Sequence, residues 1–364
     1  MELQDTRLDM SHSERVGRYS DVASALALHS DRQLGESLEQ AQTLGSGIGG
    51  TSVLLDIDGV PVFAKRIPLT DLERRAGNVM STANLFGVPP FCQYGLVEIG
   101  GPGFGAWREL AANVMTTNWV LAGRSAAFPL LYHWRVLPGA PPPSDEHADV
   151  EAAVQYWEGS PAVRDRLHAL ARASAGIVLF QEFIPYNLDN WLVAQRTAGQ
   201  DAAIAASAMV ESCLRTDVAF MNGQELMHFD GHFGNILTDG ERLYIADLGL
   251  ATSPRFDLSK QEIEFLERNR THDIGYALMR LVNWLVTNIC GVPQNGGVAQ
   301  RNEYIRACAD GADPAGAPPA VAAVIRRYAP VAAAMNDFYW DVFGTSRTTP
   351  YPSEEIERAM SAMR

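Results

Sequence analysis

The first half of the chain contains apolar runs with the composition of β-strands. Residues 53–57 and 60–67 are rich in β-branched and apolar side chains, and the dipeptide Asp58-Gly59 between them is typical of a hairpin turn. Residues 128–136 and 177–184 are apolar enough to form two further strands. The pattern therefore predicts a small antiparallel sheet.

Helical spacing of apolar positions occurs between these strands and dominates the chain after Pro185. Residues 70–86 and 107–121 are predicted to be helices, and a charged, alanine-rich stretch at 145–175 is predicted to be a helical insertion. The remainder of the chain after Pro185 is mostly helical, apart from short strands near residue 240.

These patterns predict an α+β protein in three parts. Residues 1–36 form a polar N-terminal extension, residues 37–184 a strand-rich part, and residues 185–364 a helix-rich part that ends in a helical extension. A length of 364 residues exceeds the usual size of one compact domain. Two lobes, or one domain with insertions, are therefore expected.

Composition narrows the classes of function. The formal charge of −14 argues against a nucleic-acid partner, because phosphate backbones are bound by clustered Lys and Arg. No apolar run is long enough for a membrane span, and the polar start of the chain is unlike a secretion signal, so we expect a cytoplasmic protein without a membrane partner. The four scattered cysteines have the spacing of neither a zinc site nor a disulfide framework.

A glycine-dense loop precedes the predicted hairpin. Because it enters a strand and not a helix, it differs from a dinucleotide-binding turn and is typical of the loop that covers nucleotide phosphates in kinases. Glycines there let backbone N–H groups approach phosphate oxygens. The predicted nucleotide-binding residues of the loop are Gly45, Ser46, Gly47, Gly49 and Gly50.

Lys65 lies twenty residues after Gly45, near the end of the second predicted strand. In a kinase this lysine contacts the α- and β-phosphates and is held by a carboxylate from a helix. Glu109, at the start of the helix predicted at residues 107–121, is the first candidate for that carboxylate, and Glu73 is the alternative.

A second motif, residues 227–237, places a candidate base and a candidate metal ligand five residues apart. Asp230 has the position of a residue that orients an attacking hydroxyl and accepts its proton, and Asn235 offers a side-chain carbonyl to Mg²⁺. Asp247 follows a short buried strand as the second oxygen ligand of Mg²⁺. His228 is expected to brace the loop through hydrogen bonds.

Together these motifs resemble the protein-kinase-like superfamily, which includes Ser/Thr protein kinases and aminoglycoside-phosphotransferase-like kinases. The resemblance covers residues 44–285 and implies a small N-lobe with an antiparallel sheet, a larger helical C-lobe, and dependence on ATP and Mg²⁺. It implies that a hinge at Glu182-Phe183-Ile184 holds adenine through its backbone. It also implies that Asp273, in His272-Asp273-Ile274-Gly275, anchors the catalytic loop from within the protein.

Departures from the protein-kinase pattern bear on the substrate. Phe229 replaces the arginine that binds a phosphorylated activation loop, and His232 matches the pattern of antibiotic kinases. Residues 247–273 contain no Ala-Pro-Glu platform for a peptide. These features favour a small hydroxylated acceptor, with cationic antibiotics as candidates because the protein is acidic.

Two alternatives to a small-molecule kinase stay open at this point. They are a Ser/Thr kinase that acts on a protein substrate and a nucleotide-binding pseudokinase that acts as a scaffold. For a cationic acceptor, four acidic residues of the helical part are candidate contacts, although each is also typical of a solvated helix face: Glu264, Glu267, Asp337 and Asp341.

Overall fold

The computed structural model describes residues 11–47, 50–95, 98–292 and 297–363, and the side chain of Ser46 lies outside the described part. The protein is α+β, as predicted. It divides into two compact units. Unit 1 comprises Met1–Val88, Pro102–Tyr186 and Leu237–Gly249, and unit 2 comprises Pro89–Gly101, Asn187–Ile236 and Leu250–Arg364.

The sheet of unit 1 has five antiparallel strands in the order β1-β2-β3-β5-β4. The strands are β1 (Gln42–Gly47), β2 (Gly50–Ile57), β3 (Val60–Leu69), β4 (Leu131–Pro138) and β5 (Ala175–Glu182). The predicted hairpin is β2–β3, and its turn residues Asp58 and Gly59 both have positive φ, as a two-residue hairpin turn requires. Every residue of β5 is buried, in keeping with its apolar sequence.

Six α-helices belong to the described part of unit 1. They are α1 (His12–Leu28), α2 (Asp31–Gln40), α3 (Asp71–Arg74), α4 (Ala106–Leu121), α5 (Val150–Tyr156) and α6 (Pro161–Ala171). The predicted insertion at 145–175 is thus a pair of short helices, α5 and α6. Within the predicted polar extension, α1 and α2 each begin with a serine capping box and contact the sheet at β2 and β4. Val22 and Leu26 of α1 are buried.

The prediction of a helix at residues 70–86 is wrong beyond the first turn. Thr70 caps α3, but the helix ends at Arg74 and turns follow. Side chains of Asn78 and Asn84 donate to the carbonyls of Leu72 and Val88, at 2.9 and 2.7 Å. Asparagine side chains that bond the backbone in this way compete with helical hydrogen bonds, which apolar spacing does not reveal.

Unit 2 is built from helices. Its helices are α7 (Leu188–Ala198), α8 (Gln200–Gly223), α9 (Lys260–Arg268), α10 (His272–Asn288), α11 (Gly297–Ala309), α12 (Pro319–Gly344) and α13 (Ser353–Ser361). Most residues of helix α10 are buried, and the helix packs against α8, α11 and α12. None of the helices in the described ranges is long and apolar enough to cross a membrane.

The boundary predicted near residue 185 is close to the position where Tyr186 ends one segment of unit 1. Two shorter segments depart from the prediction, because residues 89–101 belong to unit 2 and residues 237–249 to unit 1. The second segment contains most of the short strands predicted near residue 240, because β7 (Ile236–Thr238) begins one residue before it and β8 (Leu243–Ile245) lies within it. The two strands form a three-stranded sheet with β6 (Tyr186–Asn187) in the order β6-β7-β8.

Candidate functional site

The glycine loop of unit 1 joins β1 to β2, with Gly47 paired to Gly50. Gly49 lies outside the described residues. Gly50 has φ +113°, and a Cβ there would lie 2.0 Å from the carbonyl oxygen of Arg66, so only glycine fits. A Cβ at Gly47 would meet no described atom within 4 Å. Strand pairing therefore explains Gly50, whereas Gly45 and Gly47 stay predicted phosphate-binding positions.

Lys65 is buried on β3 and pairs with two carboxylates. Its Nζ donates to Glu109 Oε1 and to Asp247 Oδ1, both at 2.8 Å. Glu109 lies in the first turn of α4, and Asp247 follows β8 in the part of unit 1 that comes latest in the chain. The predicted pair of Lys65 with Glu109 is confirmed. The additional bond to Asp247 was not predicted.

The two carboxylates determine the charge of Lys65. Burial alone lowers the pKa of Lys65, but the negative charges of Asp247 and Glu109 outweigh burial and raise the pKa above its ordinary value. Lys65 is therefore protonated at neutral pH. Burial raises the pKa of Glu109, which Lys65 opposes and Asp247 reinforces. The side chain of Asp247 is 43% exposed, so part of it is accessible to a ligand.

Glu73, the alternative partner of Lys65, has a structural role. Its carboxylate lies 2.9 Å from Arg166 Nη1 and accepts a 2.9 Å hydrogen bond from the N–H of Ala106, the first residue of α4. Burial alone raises the pKa of Glu73, but Arg166 and hydrogen bonds from Thr70 lower it below the ordinary value. A carboxylate at the N-terminus of α4 stabilises the helix that carries Glu109.

The predicted hinge residues lie at the end of β5, and the N-terminal helix contacts them. Arg15 of α1 is buried and its Nε donates to Glu182 Oε1 at 2.9 Å. Arg15 and Phe183 also line a small pocket together with Ile184 and Tyr244. The N–H of Glu182 donates to the carbonyl of Leu130. Adenine binding would therefore depend on the Glu182 carbonyl, Phe183 and Ile184.

In unit 2, the loop that contains Asp230 is held from below by a buried carboxylate. Asp273, in the first turn of α10, accepts hydrogen bonds from the backbone N–H groups of His228 (2.7 Å) and Phe229 (2.9 Å) and from Asn222 Nδ2 (2.8 Å). Burial alone would raise the pKa of Asp273, but His272 and the bonds from the loop lower it. Asp273 therefore anchors the loop, as the resemblance implied.

Asp230 and Asn235 contact each other within this loop. Asn235 Nδ2 donates to the Asp230 carboxylate at 2.9 Å and to the Asp230 carbonyl at 3.0 Å. His228 is buried, and its Nδ1 accepts from the N–H of Asp230 at 3.2 Å, so His228 braces the loop. His232 Nε2 lies 3.8 Å from the Asp230 carboxylate.

Phe229 occupies the position of the missing arginine and belongs to an aromatic core. Its ring stacks on His272 with centroids 4.9 Å apart and also meets Phe265 and Tyr94. The φ of Phe229 is +63°, an unusual conformation that the Asp273 hydrogen bonds hold in place. The side chain at this position is therefore anchored by packing and cannot bind a phosphorylated loop.

The segment before α4 contributes a contact that the sequence did not predict. The N–H of Gly95 donates to the carbonyl of Phe229, and a Cβ built on Gly95 would lie 1.9 Å from Asp230 Oδ1. Only glycine fits this close approach to the Asp230 carboxylate. The only sequence signal for this contact is the glycine- and proline-rich composition of residues 87–105.

The acidic residues proposed as contacts for a cationic acceptor have structural partners in two cases. Glu264 lies one turn from Lys260, with 3.6 Å between the charged atoms, and Asp337 accepts from Arg306. Among the described residues, no group of three or more His, Cys, Asp or Glu side chains could hold a metal ion. The assignment of Asn235 and Asp247 as metal ligands stays a prediction. None of the four cysteines forms a disulfide.

No protein-family model matches this sequence, and no curated protein matches it significantly. The functional assignment therefore depends on the motifs and on the geometry within each unit. Unit 1 contains a protonated lysine between two carboxylates and a glycine loop. Unit 2 contains a braced loop with a carboxylate and an amide. In the sequence, Asn235 precedes Asp247 by twelve residues.

Proposed function

We propose that this protein is an ATP- and Mg²⁺-dependent phosphotransferase that moves the γ-phosphate to a hydroxyl of a small molecule. The observation that carries the proposal is the Lys65 ammonium, buried between Glu109 and Asp247. A buried lysine with a raised pKa keeps its charge, and a charge held in place by carboxylates can bind phosphate oxygens.

Oxygen atoms of Asp247 and Asn235 fit Mg²⁺, the metal ion that the proposed reaction needs. In unit 1, Asp247 uses Oδ1 to accept from Lys65 and is still partly exposed, so its carboxylate could also contact a cation. In unit 2, Asn235 uses its amide nitrogen to bind Asp230, which leaves the side-chain carbonyl as a metal ligand. Oxygen ligands are what Mg²⁺ prefers. Bound Mg²⁺ would neutralise charge on the phosphates.

In the proposed reaction, Asp230 orients the acceptor hydroxyl and takes its proton. The hydroxyl oxygen forms a bond to the γ-phosphorus, and the bond from that phosphorus to the β,γ-bridging oxygen breaks, which releases ADP. Lys65 and the glycine loop hold phosphates, and the bond from Asn235 keeps the Asp230 carboxylate oriented. Positioning and charge neutralisation would supply most of the rate.

The test is MgATP consumption by Asp247→Ala compared with the wild type. ATP consumption is measured without a protein acceptor, across hydroxylated metabolites, aminoglycosides, nucleosides and peptide antibiotics. We expect a loss on the order of 100-fold or more in Asp247→Ala. Asp165→Ala, an exposed aspartate on α6, is the matched control and should keep full turnover. Unchanged turnover in a folded Asp247→Ala protein would refute the site.

A second candidate function is a nucleotide-binding module without transfer, the scaffold considered above. The close approach of Gly95 to Asp230 favours it, because the Asp230 carboxylate then has a backbone neighbour where an acceptor could bind. Binding of MgATP with no consumption under any condition would support this candidate. Phosphate transfer only to added protein would support the Ser/Thr protein kinase instead.

A further inference from the structure

Two arginines of unit 2 lie on neighbouring helices, and one of them lies beside the loop that contains Asp230. Arg280 is on α10, and its guanidinium carbon lies 5.5 Å from the centre of the Phe233 ring, three residues after Asp230 in the loop. Arg301 is on α11, the helix that packs against α10. The positive charge of Arg280 lowers the pKa of Arg301, in addition to the effect of burial, so the two guanidinium groups are within electrostatic reach.

These two charges are poorly neutralised. The ion-pair partner of Arg280 is Asp189, at 3.9 Å between Nη2 and Oδ1, too long for a hydrogen bond. Arg301 makes no hydrogen bond or ion pair with any described residue. The Nε atoms of both arginines are buried without a partner among the residues that the structure describes.

Other arginines of the same unit show what full neutralisation looks like. Arg306 pairs with Asp337, Arg326 with Asp313 and Arg270 with Glu357, each at 2.9 Å or less. These pairs are on the exposed surface, where an unpaired cation would cost little. A partly buried cation without a partner costs far more free energy. Arg280 and Arg301 are therefore less well neutralised than these exposed arginines, although their Nε atoms are buried.

A buried hydroxyl beside them also lacks a partner. Tyr276 lies one helical turn before Arg280 on α10, so the two side chains leave the same face of the helix. The Tyr276 hydroxyl is buried and makes no hydrogen bond within the described part of the chain. Burial raises the pKa of Tyr276, the charge of Arg280 opposes that rise, and the charge of Asp230 adds to it. Tyr276 is thus within electrostatic reach of both Arg280 and Asp230.

We propose that Arg280 and Arg301, with the Tyr276 hydroxyl, form an oxyanion-binding subsite for the phosphate acceptor, an inference that rests on the proposed function. The acceptor would carry a phosphate or a carboxylate group in addition to the hydroxyl that is phosphorylated. Guanidinium groups bind such planar or tetrahedral oxyanions through paired N–H donors. The overall charge of −14 suggested a cationic acceptor, but the charge beside the Asp230 loop is positive.

The first experiment measures anion binding directly and does not require activity. Inorganic phosphate is titrated calorimetrically into the wild type and into Arg280→Gln/Arg301→Gln, at equal ionic strength set with chloride. We expect the double variant to bind phosphate at least roughly tenfold more weakly, because each charged hydrogen bond contributes enough for about that factor. Arg326→Gln, which loses only an exposed pair, should bind phosphate as the wild type does.

Stability of Arg301→Gln separates a ligand-binding role from a structural one. Removal of an unpaired, partly buried cation should leave the thermal unfolding temperature unchanged or raise it, whereas loss of a structural contact would lower it. Where the double variant does not fold, the single variants Arg301→Gln and Arg280→Lys provide the phosphate titration. Equal phosphate binding in the wild type and in the folded variants would overturn the subsite.

The second experiment tests the acceptor class. Hydroxylated compounds are assayed in matched pairs, with and without a phosphomonoester or a carboxylate, for stimulated ATP consumption. We expect only the anionic members to stimulate, and Arg301→Gln to raise their KM roughly tenfold or more while the KM for ATP is unchanged. Preference between phosphomonoester and carboxylate identifies the oxyanion.

The outcomes distinguish the subsite from the function on which it rests. Turnover with neutral or cationic acceptors alone would leave the proposed function intact and overturn the anionic subsite. Phosphate binding that depends on Arg280 and Arg301, without ATP turnover under any condition, would support the subsite and refute the transferase.

Discussion

The Lys65 centre of unit 1 and the Asp230 loop of unit 2 hold charged groups by different means. Lys65 is held by side-chain ion pairs, with Glu109 and Asp247 each at 2.8 Å. The loop is held through its backbone, because two of its N–H groups donate to the buried carboxylate of Asp273. Side-chain substitution at Asp230 therefore leaves the Asp273 bonds intact, whereas loss of one charge changes the whole Lys65 centre.

This difference teaches how each centre responds to mutation and pH. A carboxylate that accepts backbone hydrogen bonds has a lowered pKa and stays charged over the neutral range. In the Lys65 centre one ammonium group compensates two carboxylates. Without that positive charge, the two carboxylates would destabilise the fold. The predictions that follow test this contrast.

The largest effect is expected from Asp273→Ala. It leaves the backbone N–H groups of His228 and Phe229 buried without their acceptor, and it removes one of the two acceptors of Asn222 Nδ2, which keeps its bond to the Leu226 carbonyl. We expect the free energy of unfolding to fall by about 4 kcal/mol, measured by urea denaturation at pH 7. Asp310→Ala, at an exposed position of the same unit, is the control and should change it by less than about 0.5 kcal/mol.

The pH dependence of the same difference tests the lowered pKa. The folded pKa of Asp273 is below the unfolded value of about 3.9, so its stabilisation is fully present above that value and is lost as the pH falls through the folded pKa. The destabilisation in Asp273→Ala should therefore be constant between about pH 5 and pH 7. A difference that already declines in this range would contradict the assigned role.

Lys65→Met should have the next largest effect. It leaves Glu109 and Asp247 close together without their cation, and we expect a loss of about 3 kcal/mol at pH 7 in the free energy of unfolding. The folded pKa of Glu109 would then lie still further above the unfolded value of about 4.3, so the loss should shrink as the pH falls toward that value.

A second substitution sharpens this test. Lys65→Met/Glu109→Gln removes the charge that the first variant leaves uncompensated, and should be more stable at pH 7 than Lys65→Met alone. Lys260→Met, an exposed lysine on α9, should be close to the wild type. Additive effects of the two substitutions would show that the charges of Lys65 and Glu109 are not coupled.

The smallest effect is expected for a carboxylate of unit 2 that is held neither by an ion pair nor by backbone hydrogen bonds from the described residues. Asp217 of α8 has no cation or hydrogen-bond partner in the described ranges, and burial raises its pKa to about 6. Because this folded pKa exceeds the unfolded one, the charged form costs stability above about pH 6, and the cost disappears as the pH falls toward about 3.9.

Asp217→Asn should therefore stabilise the protein at pH 7 by about 1 kcal/mol, a value discounted because Asp217 is partly exposed. The gain should vanish near pH 4, as measured by thermal unfolding across this range. A stabilisation independent of pH would show that something other than ionisation of Asp217 is responsible. Because the pKa of Asp217 is raised and that of Asp273 is lowered, the two variants test opposite shifts within one unit.

Local patterns predicted most of the elements and part of the candidate site. Apolar runs and the Asp58-Gly59 turn predicted the strands, because alternation and turn chemistry are local properties. The helix predicted at residues 70–86 failed because asparagine side chains bond the backbone there. The interpretation of residues 1–36 as a polar extension missed how α1 and α2 contact the sheet, since their apolar stripes are narrow.

Side-chain partners were predictable only where a motif specified them. The motif around Asp230 predicted its brace by His228, and the family resemblance implied that Asp273, 45 residues after His228, anchors the loop. The sequence left open whether Glu109 or Glu73 pairs with Lys65, since each glutamate lies in the first turn of a helix. Arg166, on a helix far along the chain, decided it by pairing with Glu73.

The sequence by itself determined the α+β class, the order of most elements and the residue types of the candidate chemistry, because those depend on local periodicity and spacing. Only the tertiary structure decided which charges are compensated. Lys65 meets a carboxylate 182 residues away, whereas Arg280 and Arg301 lack close partners among the described residues. Neutralisation depends on distances in space, and those distances are the basis of the proposal that the acceptor is anionic.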